Sequence, residues 1–201
     1  MSTRRTVFVA LTALLLCATL VRADSPLTST DFHRAYLEVD MVKKAKNAGI
    51  IDQEIADYLT NDKVTLDVKA AVINALGWAL NGKKNAPGFA QLAFHMPLAQ
   101  LNLDKLDASA LFCLGYLQAL DDYFDAKKSL PFLDKAKAAK PKSQTIAVIH
   151  ALVNAQARMD DMNNWEGMGR DTMLALVPSA FPEDPLRPAA IEIIRDYMAL
   201  Y

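Results

Sequence analysis

Cysteine is nearly absent: the 201 residues hold two. Cys17 falls in an apolar N-terminal run, so Cys113 stands alone once that run is removed. A lone cysteine makes no intramolecular disulfide, which excludes a stapled fold. Set among Leu111, Phe112 and Leu114, Cys113 reads as a small buried hydrophobe. Glycine is sparse as well, at seven residues. The chain has no Gly-x-Ser-x-Gly, no phosphate-binding glycine loop and no Cys-x-x-Cys, the local signatures of common nucleophilic and redox chemistry. The three histidines, His33, His95 and His150, offer no i, i+4 pair for a metal. His33 and His95 read as surface residues of helices. No metal and no cofactor is expected. The acidic runs at Asp121 to Asp125 and Asp160 to Asn164 fall where turns belong; the second lacks the glycine and closing Glu of a calcium loop. Lys and Arg, 22, balance Asp and Glu, 23. That balance lacks the basic footprint of a nucleic-acid binder. There is no Asn-x-Ser/Thr sequon, and no stretch alternates polar and apolar with the period of a strand. An all-α protein follows.

What is present begins with a leader. Arg4 and Arg5 precede an apolar run from Val7 to Val21, and Val21-Arg22-Ala23 offers a cleavage site. The run is shorter than the ~20 residues of a membrane span. Residues 1–23 are therefore expected to be a signal peptide, with export to a periplasm or to the exterior and no span after cleavage. A lipid anchor on Cys17 is disfavoured, because Leu16 stands where a small residue is wanted. Residues 24–201 then form a single domain.

Helical periodicity carries the rest. One helix is expected from Thr30 to Gly49 on Phe32, Tyr36, Val39, Val42 and Ala45. A second is capped by Asp52, and a third is capped by Thr65 and runs to near Gly82. Gly82 to Gly88 reads as a loop. Phe89 to Met96 marks a fourth helix, and Asp107 caps a fifth. A sixth either begins near Ser129 or is kinked there, since Pro131 is tolerated only in a first turn. Ile146 to Val153 marks a seventh. Trp165, Met168 and Leu174 mark an eighth, and a ninth follows Asp184-Pro185. About nine helices are expected after the leader.

Three of these stretches are variations on one pattern. AVINALGW (Ala71 to Trp78), SALFCLGY (Ser109 to Tyr116) and AVIHALVN (Ala147 to Asn154) place Leu76, Leu114 and Leu152 at a constant spacing of 38 residues. Gly77 matches Gly115, with Val153 in the third copy. A fixed period with two helices per unit marks a helical repeat. A small residue such as Gly77 lets a partner helix approach.

The Leu114-Gly115 pair, followed by Ala126, Leu130, Leu133 and a closing Pro141, resembles the tetratricopeptide (TPR) family and its Sel1-like relatives. The resemblance covers about Ala71 to Pro178. It departs in the period of 38, in Pro131 and in the missing third glycine. It implies a short right-handed solenoid of antiparallel helix hairpins, with units of about 65–102, 103–141 and 142–178 and a capping helix over 185–201. It also implies a concave face lined by the first helices: Asn74, Trp78 and Asn81, then Ser109, Phe112 and Tyr116, then His150, Asn154 and Arg158. Aromatic anchors between amide and cationic groups suit a protein or peptide partner. The other reading of Trp78, Phe112 and Tyr116 is plain core. The expected function is that of an exported protein- or peptide-binding module, not an enzyme. The alternatives are a structural subunit of an envelope complex, favoured by an apolar patch on the last helix, and a hydrolase with scattered residues such as Glu38 with His150.

Overall fold

A computed structural model describes residues 25–159 and 165–200. The expected leader, the acidic run from Asp160 and Tyr201 lie outside them. Among the described residues the chain forms nine α-helices and no strand. They are α1 (Asp40–Ala48), α2 (Gln53–Thr60), α3 (Leu66–Leu76), α4 (Asn85–Phe94), α5 (Ala108–Asp121), α6 (Leu130–Ala139), α7 (Gln144–Ala157), α8 (Trp165–Ala175) and α9 (Pro188–Met198). Short 3-10 segments interleave, among them Phe32–Tyr36 and Tyr123–Ser129. No described helix is long and apolar enough to cross a membrane.

Several starts and stops follow from local chemistry. Gly49 takes a left-handed conformation (φ 64°) and its N–H donates to Ala45, closing α1. The carboxylates of Asp52 and Asp107 accept the Ile55 and Ala110 N–H groups at 2.9 and 2.7 Å, satisfying orphan donors at the starts of α2 and α5. Pro131 sits in the first turn of α6, where its missing N–H costs no bond.

Other expectations are corrected. The first helix is two pieces, because Val39 is extended (φ −79°, ψ 116°) between Tyr36 and α1. Thr65 is extended but its hydroxyl makes no cap bond. Helix α3 ends at Leu76, six residues early, because Gly77 turns the chain at φ 68°. Half of the expected Gly82–Gly88 loop is helix α4, whose first turn accommodates Pro87. The last helix begins at Pro188 rather than Pro185. The segment before it is stitched to the start of α7: Gln144 N–H donates to Glu183 C=O at 2.7 Å, and Leu186 N–H to the Gln144 side chain at 3.1 Å.

The helices pack in a definite order. Helix α1 lies on α3 and α2 on α4. Helix α5 lies between α3 and α7, and α3 also reaches α7. Helices α5 and α6 pack closely on each other, as do α7 and α8. The α5–α6 contact depends on Gly115: a Cβ there would stand 2.8 Å from Leu133 Cγ and 3.0 Å from Phe132 Cβ. Gly77, its partner in the sequence alignment, serves a turn instead. Leu76, Leu114 and Leu152 are all buried. Cys113 is buried too, and desolvation pushes its thiol pKa up to about 12. The first and last described helical segments meet. Helix α9 packs on Phe32–Tyr36, the Arg187 N–H donates to the Tyr36 hydroxyl at 3.1 Å, and the guanidinium lies 4.1 Å from that ring's centre. Arg187 also ion-pairs with Glu38.

Candidate functional site

The expected concave row is dispersed. Asn74, Phe112 and Tyr116 lie in the core, which corrects their placement on an open groove. Asn74 uses its whole hydrogen-bonding capacity there. Its Oδ1 accepts the His33 backbone N–H (3.0 Å) and ring Nδ1–H (2.8 Å). Its amide donates to Thr30 C=O (3.1 Å) and to the Tyr116 hydroxyl (3.0 Å). His33 is therefore a buried residue and not a surface one. Burial raises the Tyr116 hydroxyl pKa above its ordinary value, with Asn74 opposing.

Four of the remaining residues fall into two pairs. His150 and Asn154 line a cavity of about 250 Å³ between α7 and α8. His150 bonds Asp134 (2.8 Å) rather than Glu38. Burial holds its imidazole below the ordinary pKa, and the bond to Asp134 offsets this in part. Arg158 is exposed just past the end of α7. Among the described residues no group of three or more His, Cys, Asp or Glu could hold a metal.

The other pair, Trp78 and Asn81, belongs to a better-built site. A cavity of about 390 Å³ opens between the 80–87 segment and the C-terminal end of α5. Once Gly77 ends α3, the chain crosses over α5. Gly82 makes this crossing possible: its φ is 71°, and a Cβ would stand 2.7 Å from the Asp121 carbonyl oxygen. Asn81, Gln118 and Asp122 supply polar lining. Trp78 meets Tyr123 edge-on with ring centres 4.8 Å apart, and Tyr123 lies 4.2 Å from Phe124. On the rim, Leu80 is 68% and Phe124 70% exposed.

Asp121 lies beneath this rim. Its Oδ2 accepts the Ala86 N–H at 2.7 Å, so it caps α4 from 35 residues away. Among the described residues its Oδ1 is buried with no hydrogen-bond partner, and the Tyr123 hydroxyl shares that condition. Desolvation raises the Asp121 carboxyl pKa; the N–H groups of Ala86, Asn85 and Lys83 work against it. Lys83 donates to the Leu76 carbonyl, and burial lowers its ammonium pKa while Asp121 opposes. Buried polar atoms are nearly always hydrogen-bonded; three more orphans, His33 Nε2, Gln144 Nε2 and Gln156 Oε1, lie elsewhere among the described residues, and this pair is set apart by the open cavity that Asp121 and Tyr123 line.

The sequence reading missed Asp121, Tyr123, Phe124 and Leu80. The available signal was the aromatic pair inside the acidic turn Asp121 to Asp125, which solvation alone does not explain. The chain matches no family model, no curated protein and no solved structure.

Proposed function

We propose that this protein is an exported binding module that holds an extended segment of a peptide or partner protein across the Leu80–Phe124 rim. The observation that carries this reading is the orphaned pair, Asp121 Oδ1 and the Tyr123 hydroxyl, below a rim on which Leu80 and Phe124 stand exposed. A peptide supplies what the site lacks. Its apolar side chain covers Phe124 and Leu80, and its main-chain N–H donates to Asp121. Rigid aromatic rings give buried area, and a satisfied buried acceptor gives orientation. The N-terminal leader supports export to a periplasm or the exterior.

The architecture belongs to the same proposal: a short right-handed solenoid similar to TPR and Sel1-like arrays, with α5–α6 and α7–α8 as its hairpins, while α3 packs chiefly on α1 and α4 on α5 and α2. The α5–α6 and α7–α8 pairings, the side-by-side contact of α3, α5 and α7, and the regular spacing of the three buried leucines support it.

The test is selection from a displayed library of random peptides on the immobilised protein, repeated on a Leu80→Ala, Phe124→Ala double variant. Peptides enriched by the native chain and lost by the folded double variant support the reading. Equal enrichment on both refutes it.

A second reading, assembly into a larger complex, is favoured by Met173, Leu174 and Val177, which stand exposed at the end of α8. The outer side of α9 carries exposed Glu192, Arg195 and Asp196, with Leu200 exposed just past its end.

A further inference from the structure

On a different face, a recess of about 380 Å³ opens where the start of α3 meets the start of α5. At its wall is Lys69, a charged residue only 2% exposed. A buried ammonium costs much free energy unless a counter-charge or several acceptors surround it. Lys69 has neither among the described residues. Its partner is a neutral hydroxyl, Ser109 Oγ, at 2.7 Å, and no carboxylate lies within ion-pair distance among the described residues. An ammonium carries three donors, so two remain. The Ser109 oxygen accepts from Lys69, which leaves its own hydrogen to donate. Ser109 is the second residue of α5, where backbone N–H groups precede the first intrahelical bond and favour negative charge. Lys69 and Ser109 thus present converging donors with no acceptor to receive them.

The rest of the recess has the opposite character. Asp62 and Asp107 also line it, whereas Asp184 is already paired with Lys140. A simple anion meets repulsion from these carboxylates. A molecule with both signs of charge at short separation meets none.

We propose that this recess binds a free α-amino acid, its carboxylate held by Lys69 and Ser109 and its ammonium by Asp62 and Asp107. The volume matches the lower range of small-molecule sites, and the acceptor end satisfies the buried ammonium directly. The site is separate from the Leu80–Phe124 rim, so either can fail without the other.

The experiment is titration of the purified chain with L-alanine and L-lysine, followed by amide chemical shifts. Acetate and methylamine serve as the two half-ligands. The amino acids bind saturably, at least about tenfold tighter than either half, as expected when two charge-assisted contacts act together. Lys69→Met and Ser109→Ala each weaken binding about tenfold; Ser109→Ala leaves Lys69 in place and serves if the lysine variant does not fold. Asp62→Asn weakens the amino acids and not acetate. The Leu80, Phe124 double variant binds them normally. Absence of saturable binding, acetate binding as tightly as the amino acids, or unaltered affinity in Ser109→Ala overturns the proposal.

Discussion

Asn74 and Asp121 are both polar residues near the ends of packed helices, and both reach across to a distant part of the chain. Asn74 spends both lone pairs and both amide hydrogens inside the protein, on His33, Thr30 and Tyr116. Asp121 spends one oxygen on the start of α4 and leaves the other buried and unpaired beside a cavity. A network closed at Asn74 ties helices together, though it leaves His33 Nε2 buried with no partner among the described residues. An open one costs stability, because an unsatisfied buried acceptor carries its desolvation penalty. Residue type alone does not separate the two cases; the accounting of hydrogen bonds does.

That contrast can be broken at several points. The largest effect belongs to Asn74→Leu. It orphans the His33 ring, the His33 N–H and the Tyr116 hydroxyl together, and is expected to cost about 3–5 kcal/mol, read as a fall in the urea midpoint. A loss under about 1 kcal/mol would mean that water replaces the network.

Gly115→Leu comes next. Its side chain has no room against Leu133 and Phe132. Overpacking is expected to cost about 1–3 kcal/mol, and an unchanged melting temperature would deny the close α5–α6 contact.

Asp121→Asn sharpens the other side of the comparison. Burial raises the folded carboxyl above its unfolded value. The folded state therefore holds the proton more tightly. That stability is full below the unfolded pKa and is lost as pH rises through the raised folded one. The native chain should lose stability relative to Asp121→Asn as pH climbs through this window, measured by urea unfolding at a series of pH values. Parallel curves would show that the carboxyl titrates as it does in the unfolded chain.

The smallest effect on stability is expected from Phe124→Ala. Its ring is 70% exposed, so the change should stay within about 0.5 kcal/mol. Peptide affinity should nevertheless fall about tenfold or more if the ring is an anchor, measured by fluorescence anisotropy with a selected peptide.

What was legible in the sequence was local. Caps at Asp52 and Asp107, the stop at Gly49, the first-turn Pro131 and the close approach at Gly115 each depend on neighbours within a turn or on one small residue. What escaped was long-range or hidden by periodicity. Apolar residues continue at helical spacing through Leu80, so nothing in the pattern shows that Gly77 has already turned the chain. Trp78 and Asn81 therefore leave the helix on which the groove was drawn. The bond between Asn74 and His33 spans 41 residues, and Asp121 caps a helix that lies before it in the chain. No window of sequence contains both ends of either contact. The same holds for Lys69 and Ser109, 40 residues apart.

The most direct measurement is an amide and side-chain chemical-shift map of the protein with and without a selected peptide. The account predicts shifts concentrated at Leu80 to Pro87 and at Gln118 to Phe124, with the Asn74 side-chain amide unmoved. Shifts centred on Asn74, Phe112 and Tyr116, with the 80–87 segment silent, would contradict it.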